Sequence, residues 1–143
     1  EDYRAQLYVN ERNYRQEIEA QSGRFELISV GFNSELSDFA PAFNQGNLVF
    51  ASNRKKGNVS KRIHDWNEQP FLDLYQVSVV SENATITVDK MPNSINSKYH
   101  ESTAVFTKDG NTMYFTRNNY YKGKYKKDRK GINKLKIFIA HIA

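Results

Sequence analysis

The sequence predicts an all-β chain with a short helix at its start. Three observations point there. Runs rich in β-branched and aromatic residues recur along the chain, each bounded by turn residues. Helical periodicity is confined to the first 21 residues. Residues 37–54 resemble residues 100–119, which marks an internal repeat.

Tyr3, Leu7, Tyr14 and Ile18 fall near one face of a helix, with Glu and Arg between them, so residues 3–21 read as helical. Gly23 is the expected stop, because glycine adopts the left-handed backbone that ends a helix. The apolar stripe is thin, so this segment must dock on something or stay mobile. Beyond Gly23 the period becomes strand-like. Residues 25–32 (FELISVGF) form the first strand candidate. Residues 48–52 (LVFAS) follow the Gly46-Asn47 turn signal. Residues 72–80 (LDLYQVSVV) and 85–88 (TITV) flank Glu82-Asn83, a possible hairpin turn. Residues 102–107 (STAVFT) and 112–117 (TMYFTR) flank Lys108-Asp109-Gly110-Asn111, a strong hairpin signal. Residues 135–142 (LKIFIAHI) close the series. Residues 53–70 and 118–134 read as long polar loops, which are usually functional or disordered.

The repeat organises these elements. Asp38 matches Glu101, Ala42 matches Val105 and Phe43 matches Phe106, each 63 residues apart. Two extra turn residues move the spacing to 65, where Leu48-Val49-Phe50 matches Met113-Tyr114-Phe115 and Asn53 matches Asn118. Leu74-Tyr75 then matches Ile137-Phe138, again at 63. Each unit therefore reads strand, turn, apolar strand, long loop, strand. A small sheet cannot cover both its faces, so repeated all-β units stack, as in a propeller. The central runs are apolar on both faces, which suits a sheet held between two neighbours. The expected fold is two consecutive blades of a partial β-propeller. Its divisions are a helical lead over 1–23, a first unit over 24–95 and a second over 96–143. Two units cannot close a ring of four to eight blades. The 143 residues are therefore expected to belong to a longer protein.

Composition narrows the function classes. The chain has 13% aromatics, 38% apolar residues and no cysteine, so it is not a disordered chain, and it has no disulfide, thiolate zinc site or cysteine nucleophile. No run of 18 apolar residues is present. The net charge of +5 is local. Nine basic residues and one acid between Arg117 and Lys136 give that window +8 and leave −3 elsewhere. A short basic window suits a solvated loop first, and an anionic partner second.

The strings SDFAPAF, LVFASNR, QPFLDLY and NSKYHESTAVFTKDGNTMYFTRNNY resemble the TolB-like, tryptophan-aspartate-repeat-like propeller region of Bacteroidetes OmpA-family cell-envelope proteins. The resemblance covers about residues 25–143. It implies a propeller that follows a helical tetratricopeptide region and precedes an OmpA-like peptidoglycan-binding domain. Some members of that layout are associated with the type IX secretion system. The implied function is a non-enzymatic scaffold and protein-interaction module, periplasmic or associated with the outer membrane. Its implied partners are other envelope or secretion-system proteins, with peptidoglycan reached only through a domain outside this sequence.

Chemistry-bearing constellations are few. His64, His100 and His141 are scattered, so no metal site is expected. No Gly-x-Ser-x-Gly elbow and no glycine-rich phosphate cradle occurs, and no catalytic residue or cofactor is expected. Asp38 and Glu101 could pair as carboxylates for glycoside hydrolysis. Repetition favours a structural job instead, such as accepting backbone N–H groups at a turn. Phe43, Phe50, Phe106 and Phe115 are the matching apolar residues of the repeat. The candidate partner-binding residues lie in the two loops: Arg62 and Trp66 in the first, and Tyr120, Tyr121, Lys124, Tyr125 and Lys127 in the second. Trp is enriched at binding hot spots, although a lone Trp can also fold back on its own sheet. Two alternatives are an accessory propeller of an envelope hydrolase or peptidase, and a nucleic-acid binder acting through the basic loop. Nucleic acid is not the expected partner.

Overall fold

The computed structural model describes residues 2–10, 14–55, 63–78 and 86–142. By internal contacts the chain divides into Glu1–Val30 and Gly31–Ala143.

The first unit is helical, as expected, over α1 (Tyr3–Asn10) and α2 (Tyr14–Ala20), with residues 11–13 between them outside the described residues. Asp2 caps α1, its carboxylate accepting the Arg4 N–H at 3.0 Å. A turn follows α2 and Gly23 sits at φ +86°, the left-handed stop that the sequence predicts. Residues 26–30 take no strand conformation, which corrects the first strand expectation. Among the described residues they join none of the sheets, and Phe25, Leu27 and Ile28 are exposed.

The second unit is all-β. Its strands are β1 (Asp38–Asn44), β2 (Asn47–Ser52), β3 (Ile63–His64), β4 (Gln69–Pro70), β5 (Asp73–Ser78), β6 (Val88–Lys90), β7 (Glu101–Phe106), β8 (Thr112–Asn118), β9 (Tyr120–Tyr121), β10 (Lys124–Tyr125) and β11 (Leu135–His141). Strands β1-β2-β5-β6 form a four-stranded antiparallel sheet, and β7-β8-β11 a three-stranded one. The two expected loops carry small hairpins of their own, β3–β4 and β9–β10. Part of the expected 72–80 and 85–88 hairpin, including its turn, lies outside the described residues.

The two sheets repeat one another down to the backbone. Both first strands carry a bulge, between Phe39 and Ala42 and between Ser102 and Val105. Each bulge holds a residue at positive φ, Ala40 at 52° and Thr103 at 47°. Ala51 faces Leu74 in one register, and Thr116 faces Ile137 in the other. These are the pairs that the 63- and 65-residue spacings match.

Strand β7 packs against β1, β2 and β5, so the sheets stack. Val49, Ala51 and Leu74 from the first sheet meet Ala104, Met113 and Phe115 from the second, with Met91 and Ile95 from the connecting segment. The other face of the first sheet carries Phe50, Tyr75 and Val77, covered in part by Phe32, Leu48 and Val88. The four-stranded sheet is thus apolar on both faces, as its sequence predicts. The matched phenylalanines differ in burial. Phe106 lies between the sheets against the core, whereas Phe43 is 73% exposed because its face of β1 points away from the second sheet.

The two repeat turns also touch. Asn44 Nδ2 donates to the Gly110 carbonyl at 3.3 Å, and Gln45 Nε2 to the Asp109 carbonyl at 3.2 Å. Gly110 sits at φ +74°, and a Cβ there would lie 2.6 Å from both Asn44 Oδ1 and Gln45 Nε2. Gly110→Ala is expected to destabilise the chain by about 1–2 kcal/mol, from left-handed strain plus displaced turn contacts. A lowered denaturant midpoint with unchanged slope is the result to look for.

Candidate functional site

The matched acids are built into matched networks. Asp38 Oδ2 accepts the Ser34 N–H at 2.6 Å and the Ser34 hydroxyl at 2.8 Å. Glu101 Oε1 accepts the Ser97 hydroxyl at 2.5 Å. Each serine oxygen also accepts a backbone N–H two residues on, from Leu36 and from Tyr99. Asn53 and Asn118 repeat as well. Their Oδ1 atoms accept the N–H of Ser37 at 2.8 Å and of His100 at 3.1 Å. Their Nδ2 atoms donate to Gln69 at 2.7 Å and to Asn133 at 3.0 Å, which ties each long loop to its own sheet. These bonds fit the structural role for Asp38 and Glu101.

An arginine completes each network from a different position. Arg54 lies 2.8 Å from Asp38 and stacks over Phe50 and Tyr75, at 5.0 and 5.3 Å from the ring centres. Arg117 lies 4.0 Å from Glu101 and stacks over Phe138 and Phe115, at 3.9 and 5.7 Å. Phe50 and Tyr75 are the repeat partners of Phe115 and Phe138. Arg54 and Arg117 stand 63 residues apart, but β2 and β8 are matched at 65, where the register counterpart of Arg117 is Ser52, so the two guanidinium groups reach their acids from different strand positions.

The two acids titrate in opposite directions. Asp38 lies on the outer face of the first sheet. Burial alone would raise it, but hydrogen bonds from Arg54, Ser52 and Ser34 outweigh that and hold it at about 2. Glu101 lies on the face of β7 turned to the first sheet and is fully buried. Burial pushes its carboxyl up to about 7, and the Ser97 hydrogen bonds and more distant Arg117 only partly oppose this. Among the described residues neither Glu101 Oε2 nor Arg117 Nε has a hydrogen-bond partner. Because Glu101 is raised from 4.5 to about 7, the folded state holds its proton more tightly than the unfolded chain. That stabilisation is complete below pH 4.5 and is lost as pH rises through about 7. Glu101→Gln is expected to remove this part of the pH dependence, on the order of 2–3 kcal/mol between pH 5 and 8. Denaturant melts of both proteins across that range test it.

The two candidate loops meet at one end of the stacked sheets. His64 on β3 lies edge-on to Trp66, Phe71 and His100, at 6.5, 5.4 and 4.9 Å between ring centres. Phe71 contacts His100 at 4.7 Å and Tyr99 at 5.7 Å. Tyr99 contacts Tyr120 at 5.3 Å and Tyr125 at 4.4 Å. A continuous aromatic ridge thus runs from the first hairpin to the second. His100 anchors it. Burial and then the neighbouring His64 lower its pKa, and its Nδ1 accepts the Leu72 N–H at 3.2 Å. Glu101 N–H donates to the Leu72 carbonyl beside it, at 2.9 Å.

Trp66 is 88% exposed, so it does not fold back on its sheet. Tyr125 and Lys124 are exposed on β10, Tyr120 is half-buried, and Lys127 is exposed beyond the hairpin. Tyr121 points elsewhere, with its ring 6.3 Å from that of Phe138. Arg62 lies outside the described residues. Sequence reasoning missed Phe71, Tyr99 and His100 as ridge members. Tyr99 and His100 stand just before the matched Glu101, so their place beside the loop was recoverable from the repeat. Among the described residues no group of three His, Asp or Glu side chains is placed to hold a metal, and no helix is long and apolar enough to cross a membrane.

No protein-family model, curated protein or solved structure matches this chain.

Proposed function

We propose that this chain is a non-enzymatic β-propeller segment, a scaffold and protein-interaction module of an OmpA-family protein in the bacterial cell envelope. Each stacked sheet is then one blade. One observation carries the blade reading: the exposed face of the second sheet is the repeat equivalent of the buried face of the first. Tyr114 and Ile137 stand where Val49 and Leu74 stand, yet Ile137 is 74% exposed and Leu74 is fully buried. The same stacking step can therefore be repeated, as propeller blades require.

The ridge is the partner surface in this reading. It offers rigid aromatic rings beside Lys98, Lys124, Lys126 and Lys127, all exposed. Aromatics surrounded by cations suit an acidic protein surface. The partners are other envelope or secretion-system proteins, and peptidoglycan is reached through a domain outside this chain. Envelope placement rests on the sequence resemblance. Trp66→Ala combined with Lys124→Glu and Lys127→Glu is expected to weaken partner capture from an envelope fraction at least tenfold without lowering the melting temperature. Undiminished capture by that variant would remove the ridge from the interface.

A further inference from the structure

Leu72 ties the two sheets together beside the aromatic ridge. Its N–H donates to His100 Nδ1 at 3.2 Å, and its carbonyl accepts the Glu101 N–H at 2.9 Å. Leu72 stands just before β5 of the first sheet, and His100 and Glu101 stand at the start of β7 of the second. The ridge divides at this clamp. Trp66, His64 and Phe71 belong to the first repeat unit, and Tyr99, His100, Tyr120 and Tyr125 to the second. Among the described residues three ring contacts join the halves: Phe71–His100 at 4.7 Å, His64–His100 at 4.9 Å and Phe71–Tyr99 at 5.7 Å. His100 makes two of the three.

The clamp fixes the state of the imidazole. A nitrogen that accepts an N–H carries a lone pair, so His100 is neutral with its proton on Nε2. A second proton, on Nδ1, would set two N–H groups against each other. The ring must then leave Leu72, whose N–H loses its partner. The surroundings resist that proton as well. Burial, and then the His64 ring from β3, lower the His100 pKa. The other neighbours are Phe71 and Leu72 from the segment before β5, Tyr99, and Asn118 of β8, whose Oδ1 accepts the His100 N–H at 3.1 Å. None is a carboxylate. Asp73 pairs with Lys90 at 2.6 Å, and Glu101 is buried between the sheets with its carboxyl on Ser97. Asp65, Glu68 and Lys98 are exposed to solvent.

The repeat marks the imidazole as an addition. Ser37 stands 63 residues before His100. Its N–H donates to Asn53 Oδ1 at 2.8 Å and its carbonyl accepts the Asn53 N–H at 3.3 Å, as His100 does with Asn118 at 3.1 Å both ways. The shared backbone needs no histidine at this place, and the Leu72 bond is what His100 brings.

We propose that His100 is an acid-released latch: neutral, it holds the two halves of the aromatic ridge together through Leu72, and protonated, it lets them part while the stacked sheets stay folded. The latch's contribution is present above the ordinary histidine value of 6.5 and is lost as pH falls through the lowered one. The sheets persist there because the Glu101 stabilisation is complete below pH 4.5 and that of Asp38 is present above pH 3.8. The latch is independent of what the ridge binds. Its consequence, release of a partner in mild acid, rests on the ridge being the partner surface.

Amide hydrogen exchange of the full chain by NMR, corrected for intrinsic rates, tests the latch from about pH 7.5 to 4.5. Leu72 protection is expected to fall about tenfold or more, in step with titration of the His100 ring, while β2, β5 and β8 keep theirs. His100→Asn retains an oxygen acceptor near the place of Nδ1 and takes no proton, so its Leu72 should stay protected throughout. Constant Leu72 protection across the range, the same loss in His100→Asn, or simultaneous loss in β2, β5 and β8 would each overturn the proposal. Partner capture is scored separately at the two ends of the range. Capture that ignores pH while the latch opens tells against the ridge as the interface and leaves the latch standing.

Discussion

Leu74→Ala is expected to lower the unfolding free energy by about 3–4 kcal/mol. Leu74 is fully buried in the cluster that joins the two sheets. Its surroundings cannot easily collapse into the space left. The Asn96 side chain holds Leu74 at both backbone groups, accepting its N–H at 2.8 Å and donating to its carbonyl at 2.9 Å. Asn96 also reaches the Met91 carbonyl at 2.9 Å, so three elements are pinned around the site. The control is internal to the molecule. Ile137→Ala removes a similar side chain at the same repeat position, but on an exposed face, and should change stability by about 0.5 kcal/mol or less. Denaturant midpoints of the two variants measure the difference. Similar losses in both would mean that the two faces are not in the environments described.

Arg54→Met should cost about 3 kcal/mol at neutral pH, because it leaves Asp38 charged and largely buried without its partner. Arg54 does three things at once. It pairs with Asp38, donates to the Phe32 carbonyl at 2.9 Å, and covers the Phe50 and Tyr75 rings. Methionine retains part of the ring cover and none of the charge. Adding Asp38→Asn should recover part of the loss, since the uncompensated charge is then gone. Acid stability shifts in a stated direction. The folded-state pKa of Asp38 is about 2, against 3.8 ordinarily. Its contribution, about 1–2 kcal/mol, is therefore present above pH 3.8 and lost as pH falls through about 2. Without Arg54 the carboxyl titrates higher, so the acid unfolding midpoint should move to higher pH.

Much of the β architecture was legible because its signals are local. The Asp-Gly turn and the two apolar runs flanking it place β7 and β8 to within one residue, and LVFAS places β2. The repeat was legible because stacked sheets need the same residue types at the same positions. Phe25–Phe32 was misread because its alternating apolar pattern is that of a strand, while pairing depends on a neighbour that no local pattern reveals. The β3–β4 and β9–β10 hairpins were read as loops because two-residue strands leave almost no periodic signal. At the ridge, Trp66, Tyr120 and Tyr125 were chosen by residue type. Phe71, Tyr99 and His100 join them only through sheet stacking, which brings residues about 30 apart into ring contact. The Arg54 and Arg117 equivalence was hidden for a related reason. A long side chain can reach one ring pair from two different positions along a strand face.

The central claim is that residues 37–142 are two copies of one sheet unit stacked into a single cooperative body. Native-state amide hydrogen exchange on the full chain tests it most directly. The amides of β2, β5 and β8 should share the highest protection, and Leu74→Ala should lower all three by the same free energy. If β7-β8-β11 open independently, at a lower free energy that Leu74→Ala leaves unchanged, the two sheets do not stabilise one another and the stacked-repeat account is wrong.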